Sequence, residues 1–121
     1  MDIVQALSDN RKYIEAALEY ADGTHLYEDV VVGVLQGRMQ LWPLSDGCLV
    51  TEIVTYPRKK VVNCFLGGGD MKEMITKQQE IIEWAKEHGC TSAAITGRFG
   101  WERAFLKHGW QKQHVVIAKD I

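Results

Sequence analysis

The stretch from Val61 to Gly89 constrains this chain more than any other: an apolar run, VVNCFL, then three glycines, then DMKEMITKQQEIIEWAKEHG. Met71, Met74, Ile75, Gln78, Ile81, Ile82 and Ala85 recur at three- and four-residue steps, which predicts a helix over residues 70–88 with one largely apolar face. Asp70 stands at its N-cap, Glu73 is spaced to close a capping box on the Asp70 backbone N–H, and Gly89 lies just past its end. Val61 to Leu66 is rich in β-branched and aromatic residues, as a buried strand is. Gly67, Gly68 and Gly69 then read as a sharp turn into the helix, whose free N–H groups can receive an anion such as a phosphate. They match neither G-x-G-x-x-G nor the Walker pattern, so a tight connection capped by Asp70 is the plainer reading.

The chain around this unit is 121 residues long, 46% hydrophobic and 25% charged, enough apolar residue for one domain spanning 1–121 with an ordinary core. A net charge of −2 gives no global reason to expect nucleic acid or an anionic membrane as partner. Cys48, Cys64 and Cys90 are odd in number and lack a C-x-x-C, so they read as reduced thiols in a cytoplasmic setting. No apolar run spans a bilayer, and Asp2 and Asp9 in the first segment argue against a signal peptide.

In chain order, Ile3 to Ala21 is expected as one helix, its apolar face interrupted at Asn10 and Arg11. Asp22-Gly23 stops it, and Thr24 is expected to cap a second helix that carries Glu28 and Asp29 early, buries Leu26, Val30 and Val34, and ends at Gly37. Arg38–Leu44, Cys48–Tyr56 and Val61–Leu66 form an antiparallel meander on short turns. After the Gly-rich helix come a strand at Thr91–Thr96, a short helix at Trp101–His108 closed by Gly109, and a last strand at Gln113–Lys119. The order is ααβββαβαβ, an α+β mixed sheet in which the long helix joins two parallel strands by a right-handed crossover.

Several polar residues invite a functional reading and have a plainer one. His25, His88, His108, His114 and Cys90 lack metal-ligand spacing, so no metal is expected. Cys64 reads as a small buried hydrophobe. Glu52 and His114 have the chemistry of a general base, but a strand glutamate is ordinarily solvated and nothing in the sequence positions His114. Trp101 and Trp110 suit a core or an interface, and Arg58-Lys59-Lys60 suits a solvated hairpin tip.

The element order, with CFLGGGDMKEM and RFGWERAFLKHGW, resembles the GNAT superfamily of acyl-CoA-dependent N-acyltransferases over residues 24 to 121. That resemblance implies a sheet that splays between its parallel strands, with acetyl-CoA as co-substrate in the gap and transfer to an unidentified amine. It implies Phe65 and Leu66 beside the pantetheine, Gly67, Gly68, Gly69 and the N–H groups of Asp70, Met71 and Lys72 beside the pyrophosphate, and Arg98 in the same cofactor-binding set. The sequence departs from the family at four places. The loop starts with glycine where a polar or basic residue is usual, Asp70 brings a carboxylate to the phosphate site, Phe105 stands four residues before Gly109 where a general-acid Tyr is common, and Arg98 stands where Asn is frequent. These departures resemble small proteins of tailed bacteriophages, internal virion proteins among them, that keep a GNAT-like fold with an eroded catalytic pattern. The alternative is therefore a non-catalytic structural or assembly protein in a virion, with virion proteins or further copies of itself as partners.

Overall fold

The computed structural model describes residues 2–121. Its elements are α1 (Ile3–Asp9), α2 (Arg11–Leu18), α3 (Tyr27–Leu35), β1 (Met39–Leu44), β2 (Gly47–Thr55), β3 (Lys60–Gly69), α4 (Met71–Glu87), β4 (Ser92–Ile95) and α5 (Phe99–Leu106). The sheet runs β1-β2-β3-β4, antiparallel through the meander and parallel between β3 and β4. The mixed α+β sheet with α4 crossing between parallel neighbours is as the sequence predicts.

Residues alternate across the pleat and divide the interior in two. Cys48, Val50 and Leu66 face a core shared with Leu7, Ile14, Val30 and Val34 of α1–α3. Leu49 and Val62 face a second core, shared with Met74, Ile81 and Ala85 of α4 and with Trp101 and Phe105 of α5. The apolar face read from the α4 sequence is the face that packs here.

Four local expectations are corrected. The first helix is two, because buried Asn10 turns its side-chain Nδ2 onto the Ala6 carbonyl at 2.9 Å and leaves helical geometry at φ −102°, ψ 5°. An Asn amide competing for the backbone in this way breaks a helix. The cap of α3 is Leu26 rather than Thr24: Asp29 Oδ2 accepts from the Leu26 N–H at 2.8 Å, and the Leu26 side chain stays exposed. The glycines Gly67–Gly69 are not a turn but the end of β3, paired with Leu49, Cys48 and Gly47. Residues 113–119 form no strand, and 111–121 lie exposed throughout.

Candidate functional site

The parallel pairing of β3 with β4 ends at Cys64–Ile95, while β3 runs on to Gly69. At this point β3 carries a bulge: Val50 pairs with Leu66 and Thr51 with Cys64, leaving Phe65 outside the ladder. The backbone from Phe65 onward therefore has a free edge on the β4 side, where the two strands part. Leu66 is buried in the first core, and Phe65 packs partly against that core with its ring 5.4 Å from the His25 ring.

Side chains of the chain itself fill the gap. Arg98, in the loop after β4, donates from Nη2 to the Gly67 carbonyl at 3.3 Å. Its guanidinium lies 4.4 Å from the Tyr20 ring centroid and 5.7 Å from that of Trp101. A Cβ added at Gly67 would stand 2.5 Å from Cη2 of Trp101 and 2.8 Å from Cδ2 of Leu49. Gly67 is thus glycine so that an indole can lie against the strand. Gly68 faces the other layer, where an added Cβ would meet the Tyr13 carbonyl oxygen at 3.2 Å. Gly69, at φ +102°, abuts Asp46 and Gly47 of the facing strand.

The N-terminus of α4 is occupied as well. Asp70 Oδ1 accepts from the Lys72 N–H at 2.9 Å, so the expected N-cap is present. The expected capping box is not. The Asp70 N–H donates instead to the Asp46 carbonyl at 2.8 Å, and Glu73 reaches across to the β1–β2 turn. There its carboxylate accepts from the Ser45 hydroxyl, the Ser45 N–H at 2.9 Å and the Asp46 N–H at 2.9 Å. These bonds, the Ser45 hydroxyl foremost, hold Glu73 below the ordinary glutamate value. The Tyr13 hydroxyl donates to Asp46 Oδ1, which raises the Tyr13 pKa. Met71 is half-buried against the second core, while Lys72 is exposed.

The predicted set is therefore dispersed. Gly67 and Arg98 meet beside Trp101 and Tyr20, Gly69 and Asp70 meet Asp46, and Phe65, Leu66, Gly68 and Met71 turn to the packed layers. The residues as arranged do not fit acyl-CoA. On the edge of β3 that would pair with pantetheine the Gly67 carbonyl is taken by the Arg98 guanidinium, and the Trp101 indole lies against the face of the strand at the same glycine. The helix terminus that would take a pyrophosphate carries Asp70 and Glu73, with Asp46 beside them, and carboxylates repel an anion there. Phe105 is buried in the second core, edge-on to Trp110 at 5.6 Å, and has no proton to give. Burial pushes the thiols of Cys48 and Cys64 up to about 12, so neither is a thiolate nucleophile at neutral pH. Glu52 is half-buried, and His114 lies on the exposed segment after α5. Among the described residues no group of three or more His, Cys, Asp or Glu could hold a metal, and no helix is long and apolar enough to cross a membrane.

Sequence reasoning did not bring Tyr13, Tyr20 or Asp46 to these places. Each is a long-range partner with no local pattern, although a glycine inside a strand signals a close approach by something. An open groove of about 450 Å³ between α1–α2 and the β1–β2 turn includes Asp2, Asp9, Tyr13 and Ser45, and none of the predicted cofactor residues lines it.

No family model matches the sequence, and a search of curated proteins finds no match. Solved structures do match. A probable acetyltransferase superposes with a TM-score of 0.70 at 10% identity, over 97% of this chain and 95% of that one. A Trypanosoma brucei acetyltransferase gives 0.61 at 10% identity, over 78% of each chain. A point mutant of the BH1408 protein from Bacillus halodurans gives 0.60 at 12% identity, over 95% of this chain and 88% of that one. The chain has the GNAT-like fold of acetyltransferases.

Proposed function

We propose that this protein uses the GNAT-like fold as a structural or assembly scaffold and does not transfer acyl groups from CoA. The observation that carries the reading is the indole of Trp101 set against Gly67, where the fold's co-substrate would pass. The Arg98 bond to Gly67, the carboxylates at the start of α4 and the buried Phe105 act in the same direction. A virion protein is one role of this kind, and a cytoplasmic assembly factor is another.

A second reading is an acyl-CoA-dependent N-acetyltransferase acting on an unidentified amine. What favours it is the bulge at Phe65 with the free β3 edge beyond Cys64, together with structural neighbours named as acetyltransferases. On that reading Arg98 and Trp101 withdraw before acetyl-CoA enters.

Calorimetric titration with acetyl-CoA separates the two. The scaffold reading expects no heat of binding and no change in Tm at about 1 mM, a level at or above the KM of an ordinary enzyme. Under the enzyme reading, ligand at about 100 times its Kd adds about 2.7 kcal/mol and raises the Tm by about 10 °C. Such a shift, with thiol released in the presence of an amine, overturns the scaffold proposal.

A further inference from the structure

β4 is the outer strand of the sheet and pairs only with β3. Its outer edge therefore presents unpaired N–H and C=O groups, which a chain ordinarily covers or blunts with charge or proline. Ser92, Ala93, Ala94 and Ile95 supply neither device. Beside it, Ala94, Ile95, Phe105 and Trp110 line a narrow apolar cleft of about 40 Å³.

The same chain carries a segment with a strand's composition and no partner in the sheet. Residues 111–121 are exposed throughout, with Val115, Val116 and Ile117 at 69%, 80% and 90%. Val115 and Ile117 would lie on one face of an extended chain, Val116 and Ala118 on the other. Apolar residues on both faces suit a strand covered on both sides. The root of the segment is held: Trp110 Nε1 donates to Gln78 Oε1 at 2.6 Å, and Lys112 Nζ pairs with Glu102 at 3.1 Å. Beyond Lys112 the segment leaves its own β4 uncovered.

Each molecule thus holds one open edge and one uncovered apolar segment. We infer that two copies of this chain exchange residues 113–119, each adding the segment as a fifth strand on the β4 edge of the other. One donor and one acceptor per copy close under a two-fold axis, so the exchange ends at a dimer and leaves neither group over. Backbone pairing supplies the attachment, and the alternating apolar side chains fix the register.

The test is light scattering coupled to size exclusion at micromolar concentration. The full chain is expected at twice 13.7 kDa. A chain ended after Lys112 is expected at the mass of one copy, with its far-ultraviolet circular dichroism retained for the elements through α5. Val115→Pro and Val116→Pro each delete one N–H, and consecutive N–H groups of a strand point to opposite edges. One of the two is expected to weaken the dimer at least tenfold. A monomeric full chain, including one whose amides 113–119 are protected from exchange by pairing in the same molecule, overturns the inference. So does a dimer that survives the truncation, or one indifferent to both prolines.

Discussion

Arg98 donates to the carbonyl oxygen of Gly67 across the end of the β3–β4 pair, 3.3 Å away, on the side where Trp101 lies against the same glycine. The two contacts close the place where parallel strands separate. In a doubly covered sheet such a separation is the natural crevice for a ligand. Here the loop and helix that follow β4 fill it.

This closure predicts an energetic coupling. Gly67→Ala sets a methyl group within 2.5 Å of the indole and 2.8 Å of Leu49, and overpacking of this kind costs about 1–3 kcal/mol. Trp101→Phe shortens the aromatic group, so in that background the alanine is expected to cost less, by about 0.5–3 kcal/mol. Urea unfolding of the four proteins in the cycle measures the difference. Equal costs in both backgrounds would mean that the indole does not limit the site.

The three glycines are expected to rank by what surrounds them. Gly69→Ala meets Asp46 and Gly47 from a left-handed φ of +102° and is expected to be the most destabilising. Gly68→Ala approaches Tyr13, its carbonyl oxygen nearest at 3.2 Å, and is expected to be the mildest. Chemical denaturation midpoints give the order. A phosphate-binding loop free of the sheet would show no such ranking.

Glu73 predicts a pH dependence with a definite sign. Its pKa is lower folded than unfolded, owing first to the Ser45 hydroxyl. The charged form is favoured by folding, so its contribution is present above the ordinary glutamate value and is lost as pH falls through the folded one. Glu73→Gln is expected to be less stable than the native protein near neutral pH. The gap should narrow as the solution is acidified below the ordinary value of 4.5. Melting curves of both proteins at several pH values check this; a gap constant with pH would mean that the charge on Glu73 plays no part.

Much of this architecture is legible because its signals are local and periodic. The α4 face from Met74 to Ala85, the Asp70 cap and the meander each follow from neighbours within one turn or hairpin. What was not legible depends on distance. Glu73 has the right spacing for a capping box, but Ser45 and Asp46 on another element offer it three donors. Three successive glycines before a cap read as a turn, and only their pairing with Leu49, Cys48 and Gly47 reveals them as strand. Residues 113–119 have a strand's composition, yet a strand requires a partner edge, which a sequence does not display. The departures at Asp70, Phe105 and Arg98 were readable only against the GNAT resemblance; Arg98 falls at the closed gap, Asp70 at the start of α4 and Phe105 in the second core.

The last prediction asks whether the closed site can be reopened. Arg98→Ala removes the guanidinium from the β3–β4 gap, and because Arg98 is exposed the change is expected to alter stability by no more than about 0.5 kcal/mol. Asp70→Asn keeps a capping side chain while removing one carboxylate from the start of α4. Neither change moves the Trp101 indole, so neither single variant nor the double is expected to bind acetyl-CoA at about 1 mM, a level at or above the KM of an ordinary enzyme. Phe105→Tyr is expected to be destabilising rather than activating. Its hydroxyl would enter the second core beside Trp110, and a buried hydroxyl without a partner costs about 1–3 kcal/mol. Isothermal titration, urea unfolding and thiol release from acetyl-CoA read out all four proteins. Binding by the Arg98→Ala variant would identify Arg98 as a movable gate and return the protein to the acyltransferase reading. Thiol release by Phe105→Tyr above the native level would place a working acid at a position that packing assigns to the core.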